Sequence, residues 1–342
     1  MSRARNTPFL LTPAAKDYLW GGSRLNDDFN FKIDIDPFAE AWVCSTHPDG
    51  TSLAKDTGVP LTDLLASHPE YLGTHPLIAT GGIPALPIMI KLIDAKSDLS
   101  VQVHPSDAYA MQYEHGSLGK TEMWYVLDAK PGASLVYGFK RDVTAEEVRA
   151  AIEEGTVQKL LNRVAIHKND LFYIESGTVH AIGAGALIAE IQESSNITYR
   201  LYDYDRTGKD GKKRPLHIDR AMEVAKLSSS LTPRQPMRVL KHRRGIASEL
   251  LCRCRYFQVE RILLNTEVVR ELVDYKTGTN SFHALLCVDG CGSVTWGLDR
   301  KEAENDRIIG GFNFFKGDCV FIPAESPDLK LHGRAQLLDV SC

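Results

Sequence analysis

Apolar residues in this chain recur at every second position or in short unbroken runs, and both patterns predict strands. Between 84 and 140 the segments LPIMIKLIDA, LSVQVHP, EMWYVLDA and ASLVYGF follow one another, separated by Asp-Ala-Lys and Pro-Gly breaks. Strands resume at DLFYI, TVHAIG, ALIAEIQ and ITYRLYDYD, and Lys-Asp-Gly-Lys at 209–212 carries a hairpin-turn signature. Residues 1–60 predict irregular structure with short strands, including DFNFKIDIDPFAEAWVCS. Helical signals are few. TDLLASH predicts a short helix over 62–68 capped by Thr62. At 142–164, Thr144 and Glu147 fit a capping box. Val148, Ala151 and Ile152, then Leu160, Leu161 and Val164 beyond Gly155, predict two helices inserted into a β domain. A last helix is expected at HIDRAMEVAKL, 217–227.

This pattern divides the chain into a first β domain over 1–227, a linker at 228–237 and a second β domain over 238–342. Many short strands with Gly and Pro turns make the second domain a sandwich or barrel. The halves echo each other: KNDLFYIESGTVHAI in the first resembles KGDCVFIPAESPDLKL in the second, which has no histidine at the matching place.

Composition narrows the classes of partner. The 342 residues carry a net charge of −4, which gives no support to a nucleic-acid partner. No uncharged apolar run approaches the ~18 residues of a membrane span, and the N-terminal segment has no continuous apolar core of signal-peptide length. A cytoplasmic protein is expected. The seven cysteines are odd in number and contain no C-x-x-C pair, so free thiols are expected.

Four residues stand out against this background. Gln102 and His104 lie two apart in LSVQVHP, so they share a face if the segment is a strand. Glu122 follows in GKTEMWYVL and His180 in SGTVHAIG. Two histidines and a carboxylate from three strands form the ligand type of a catalytic divalent-metal site with an open position. The absence of cysteine from the set argues against a closed structural zinc. Taken singly, each histidine is more simply an ordinary hydrogen-bonded residue; the set carries the reading. Gln102 is left open between a fourth ligand and a substrate contact.

The motifs LWGG at 19–22, QVHPSD, GKTEMWYVLDA, SGTVHAIGAG and AEIQESSNITYRLYDYDR together resemble type I mannose-6-phosphate isomerase in its short bacterial form. The resemblance runs over nearly the whole chain. It implies a mainly β fold of two cupin-type jelly rolls, the first with a small helical insertion. It also implies one zinc ion per chain held by His104, Glu122 and His180, with manganese or iron as other possible ions, and an active-site arginine at Arg200. The implied substrate is a phosphorylated hexose. The implied reaction interconverts mannose 6-phosphate and fructose 6-phosphate through an enediol. The long helical insertion of the larger family members is missing here.

Further roles follow from the chemistry that reaction needs. Lys91 lies within the apolar strand PIMIKLIDA, where a lysine is costly to bury without a partner, so it is expected to face a polar cavity. Lys91 and Lys120 are candidates for holding the sugar phosphate. Glu190, amid apolar residues in LIAEIQE, is a candidate general acid/base or an orienter of Arg200 or a metal-bound histidine. Trp20 and Trp124 read as packing residues, the cluster Lys209, Lys212, Lys213 and Arg214 as a solvated turn, and His283 at most as a relic ligand. Two other classes compete: a non-catalytic sugar-binding or regulatory cupin, and an iron-dependent cupin oxygenase. The basic residues disfavour both. A mannose 6-phosphate assay separates the first from the enzyme, and metal analysis separates the second. Oligomeric state is left open.

Overall fold

The computed structural model describes residues 6–29, 31–208, 211–230, 239–297 and 308–342. Antiparallel sheets dominate. The chain separates into two compact units, one comprising the described residues of 15–41 and 90–236, the other those of 1–14, 42–89 and 237–342.

The first of these is built on two sheets. One takes its strands in the order Leu161–Ala165, Ser134–Phe139, His180–Ile182, Val101–Val103, Tyr199–Tyr202. The other is centred on Leu171–Ile174, Glu122–Ala129, Ala186–Glu193 and Ile88–Asp94, and continues through Glu40–Cys44 to Ala14–Lys16. Alternation sends one set of side chains from each sheet into a shared core, where Leu135 and Ile182 meet Trp124, Phe172 and Ile188. The outer face of the five-stranded sheet is equally apolar. It is covered by the helices Ala145–Glu153 and Ile218–Val224, with Val148, Ala151 and Ala221 packed on Val101, Val103, Val136 and Leu201.

The helical insertion is smaller than the spacing predicts. The expected capping box is present: Thr144 Oγ1 accepts from the Glu147 amide at 3.2 Å, and the Glu147 carboxylate accepts from the Thr144 amide at 3.0 Å. The second expected helix is absent. Gly155 ends the first helix at φ +68°. After one 3-10 turn, residues 161–165 form a strand paired with Ser134–Phe139, with Leu161 buried and Arg163 and Ala165 exposed. Strand pairing overrode a short i, i+3 pattern. The early helix runs Leu61–Ser67 with Pro60 at its N-cap, so Thr62 does not cap it; the Thr62 hydroxyl lies 2.9 Å from that of Thr51.

The other unit does not follow the contiguous division expected at 228–237. Its large sheet pairs Cys319–Ile322 with the N-terminal strand Phe9–Thr12, which pairs in turn with Leu53–Ala54. Most of the expected linker lies outside the described residues. All seven cysteines are free, as expected. No helix among the described residues is long and apolar enough to cross a membrane.

Candidate active site and metal centre

The five-stranded sheet brings Gln102, His104, His180 and Arg200 together. His180 and Arg200 lie opposite Gln102 on its two neighbouring strands, and His104 follows directly after the Val101–Val103 strand. The facing sheet contributes Lys91, Glu122 and Glu190, with Glu190 opposite Trp124 and Gln192 opposite Glu122. Each sequence-predicted site residue therefore points to one region between the sheets.

His104, Glu122 and His180 are buried, and their ligand atoms lie within 4.8 Å of one another. His180 Nε2 is 3.1 Å and His104 Nε2 3.7 Å from Glu122 Oε1. Both imidazoles face backbone carbonyls through Nδ1: His104 with Ile197 at 2.7 Å, His180 with Thr178 at 2.8 Å. Such contacts fix the Nδ1–H tautomer and aim the Nε2 lone pairs inward. Burial, with Lys120 and His180 adding to it, holds His104 well below the usual histidine range. Burial likewise brings His180 to about 4, despite the Thr178 carbonyl. Both rings are therefore neutral, the form that binds a metal.

Neither Glu122 oxygen nor His180 Nε2 makes a hydrogen bond of full geometry, although all three are buried. The Lys120 ammonium approaches Glu122 Oε2 at 3.0 Å and His104 Nε2 at 3.2 Å. Buried polar atoms left in this state are costly. Together with His104 Nε2 they make an N, N, O donor set of a kind that fits a divalent cation. Among the described residues this is the sole group of its kind.

Glu190 sits beside that group, only 4% exposed. It accepts from Trp124 Nε1 at 2.8 Å, and Lys91 and Lys120 lie 3.4 and 3.9 Å from its Oε1. Burial opposes its charge, but Lys120 and Lys91 outweigh burial and hold its carboxyl below the usual range. Burial and the Glu190 charge push Glu122 the other way, upward. Lys91 lies 3.6 Å from Glu40 as well. Burial alone would lower the Lys91 pKa; Glu40, Glu190 and Glu122 raise it instead.

These side chains border an open cleft of about 120 Å³. Gln102, Lys91, Lys120, Arg200 and Glu190 line it, joined by Tyr18, Glu40, Ser100, Asn196 and Thr198, which the sequence does not mark, and by Arg214 of the basic turn. Four of the lining side chains are cations and two are carboxylates. The basic turn is thus not wholly solvated. Arg214 forms a two-pronged pair with Asp203, at 2.7 and 2.6 Å. Lys209 lies outside the described residues. Trp20 is buried yet borders the cleft, and Trp124 positions Glu190 rather than only filling space. Arg200 differs from the other cations. Its Nε is buried without a hydrogen-bond partner, and no carboxylate of the metal group pairs with it. Burial and the neighbouring Arg214 charge lower its pKa.

A β sandwich holding a His–Glu–His group beside a cationic cleft defines a metal-binding protein of the cupin type. Comparison with known proteins makes the class specific. Residues 9–158 match the model of the phosphomannose isomerase type I catalytic domain. The chain is 35% identical over 340 residues to the mannose-6-phosphate isomerase ManA of Bacillus subtilis, covering 97% of this chain and 98% of that one. It is 33% identical to the mannose-6-phosphate isomerase of Streptococcus mutans, covering 97% of each. The crystal structure of the mannose 6-phosphate isomerase from Bacillus subtilis superposes with a TM-score of 0.84 at 32% identity, over 98% of this chain and 99% of that chain. The chain belongs to the type I phosphomannose isomerase family.

Proposed function

We propose that the protein is a metal-dependent aldose–ketose isomerase interconverting mannose 6-phosphate and fructose 6-phosphate, with zinc as its ion, one per chain. The observation that carries this reading is the buried His104–Glu122–His180 group, in which both Glu122 oxygens and His180 Nε2 lack hydrogen-bond partners, beside Glu190 in a cleft bordered by four cations. The family relatives named above act on this sugar phosphate. The expected setting is the cytoplasm.

The reaction moves a proton between C1 and C2 through an enediol. A divalent cation held by His104, Glu122 and His180 supplies Lewis-acid polarisation of a sugar oxygen when bound. Glu190 is ionised at neutral pH through its two lysines, so it is ready to accept the C–H proton. Trp124 fixes its orientation. Lys91 and Lys120 hold the substrate's anionic groups, and their partial neutralisation by Glu40 and Glu190 keeps them from binding any anion indiscriminately. Among the described residues no carboxylate forms an ion pair with Arg200, so its charge is available to the oxygens that become negative as the enediol forms. Gln102 lies between His180 and Arg200 and contacts substrate.

The test is a coupled assay on mannose 6-phosphate with metal-stripped protein and zinc, manganese or iron restored in turn. Turnover should vanish on stripping and return with zinc. Absence of turnover with every ion would overturn the reading.

A further inference from the structure

The segment 118–121, which carries Lys120, is held on every side. Gly119 presses against the chain at Ser106–Asp107: a Cβ there would lie 2.4 Å from the Asp107 nitrogen. Three consecutive amides are each claimed. Gly119 N–H donates to Asp107 Oδ1 at 2.9 Å, Lys120 N–H to the Pro105 carbonyl at 3.0 Å, and Thr121 N–H to Glu193 Oε1 at 2.7 Å. Ser195 Oγ donates to the Leu118 carbonyl at 3.0 Å, and the Glu193 amide to that of Thr121 at 3.1 Å.

Glu193 is 2% exposed, and among the described residues no cation pairs with it. It ends the Ala186–Glu193 strand, three residues after Glu190. One rigid strand thus fixes both Glu190 and the backbone that presents Lys120. We propose that Glu193 is a positioning residue: by accepting from the Thr121 amide, its carboxyl holds the backbone that presents Lys120 to Glu122 and Glu190. Neither the metal group nor the cleft wall includes it, so it acts through the backbone it holds, at the Lys120–Glu122 segment. Burial and the neighbouring Asp107 carboxyl push its pKa up, to about 8. Asp107, at the start of the helix Asp107–Tyr113, is the charged group facing it.

The inference rests on the proposed function only for the role of Lys120, and two substitutions with two readouts separate the questions. Glu193→Gln keeps an acceptor for the Thr121 amide; Glu193→Ala removes it. The Ala variant should lose about 10–100-fold in kcat/KM, the range for a group that orients an active residue, mostly through KM. The Gln variant should stay near wild type. Amide hydrogen exchange over 115–125, read without turnover, should quicken in the Ala variant alone. If Glu193→Ala fails to fold, Asp107→Ala against Asp107→Asn gives the same contrast through Gly119. A Gln variant as impaired as the Ala variant, or unchanged exchange in the Ala variant, would overturn the inference. A wild type that exchanges as described but does not isomerise mannose 6-phosphate would overturn the function and leave the clamp standing.

Discussion

Arg200 gives the sharpest test of the division of labour in the cleft. Consider Arg200→Met, which keeps much of the apolar stem and deletes the guanidinium. The fold has little to lose. Its buried Nε makes no hydrogen bond, so no partner is stranded. Burial and Arg214 lower its pKa, which means that the folded surroundings disfavour its charge. Removing that charge eases a like-charge contact. Stability should therefore change by only about 0.5 kcal/mol, as for a substitution that breaks no feature. Catalysis has more to lose. If the guanidinium meets oxygens that gain charge on the way to the enediol, its removal resembles loss of an oxyanion-hole donor, about 2.7–4 kcal/mol or 10²–10³ in kcat. Arg200→Lys should recover part of this, since it restores charge without the fork. The assay measures kcat and KM on mannose 6-phosphate, with metal content and thermal melting on the same samples. Normal turnover in the Met variant would refute the catalytic role. Loss of metal together with a lower melting temperature would make Arg200 a structural residue instead.

Three further outcomes are expected. His180→Ala should lose tightly bound metal and turnover together, as elemental analysis and the coupled assay would show; full occupancy with normal activity would remove it from the ligand set. Lys91→Met should leave Glu40 and Glu190 buried with one cation fewer, at a cost of about 3–5 kcal/mol for a broken buried pair; a chemical denaturation curve matching wild type would show that the pairing is energetically idle. In the other unit, burial opposes the charge on His283, but Asp339 at 2.7 Å outweighs it and raises the pKa. A raised folded-state pKa means stabilisation that is complete below the unfolded value near 6.5 and is lost as pH climbs through the folded value. Melting temperature should therefore fall from mildly acidic to alkaline pH more in wild type than in His283→Gln; parallel profiles would refute the coupling.

The strands were legible because their alternation is local, and the metal group because its members stand beside such alternation in short motifs. The capping box at Thr144 was legible for the same reason. What escaped depends on distant partners. Nothing in FLLT announces that Phe9–Thr12 pairs with Cys319–Ile322 near the other end of the chain. Leu160, Leu161 and Val164 fit a helix as well as a strand until the Ser134–Phe139 edge is present to pair with them. Arg214 looked solvated among lysines because its fork partner, Asp203, is eleven residues away. Glu40 did carry a signal. It is an acid beside the apolar run AWVC, the same anomaly that marked Lys91, and each buried charge accounts for the other.

The faint repeat between the halves explains why one half carries the metal group. In the first unit Ile174 lies opposite Glu122, and two residues along the same strand Trp124 lies opposite Glu190. In the second, Ile322 lies opposite His283, and two residues along Leu285 lies opposite Asp339. His283 therefore takes the place of Glu122, and Asp339 that of Glu190. The substitution changes the electrostatics of the slot. Glu122 and Glu190 are two carboxylates side by side, which need lysines and a cation to coexist in burial. His283 and Asp339 neutralise each other, and Tyr275 closes the circle at 2.9 Å from the imidazole and 2.7 Å from the carboxylate. A pair with its hydrogen bonds satisfied has no lone pair aimed at a missing partner. The same register that places the two buried carboxylates Glu122 and Glu190 side by side in one unit places the mutually paired His283 and Asp339 in the other.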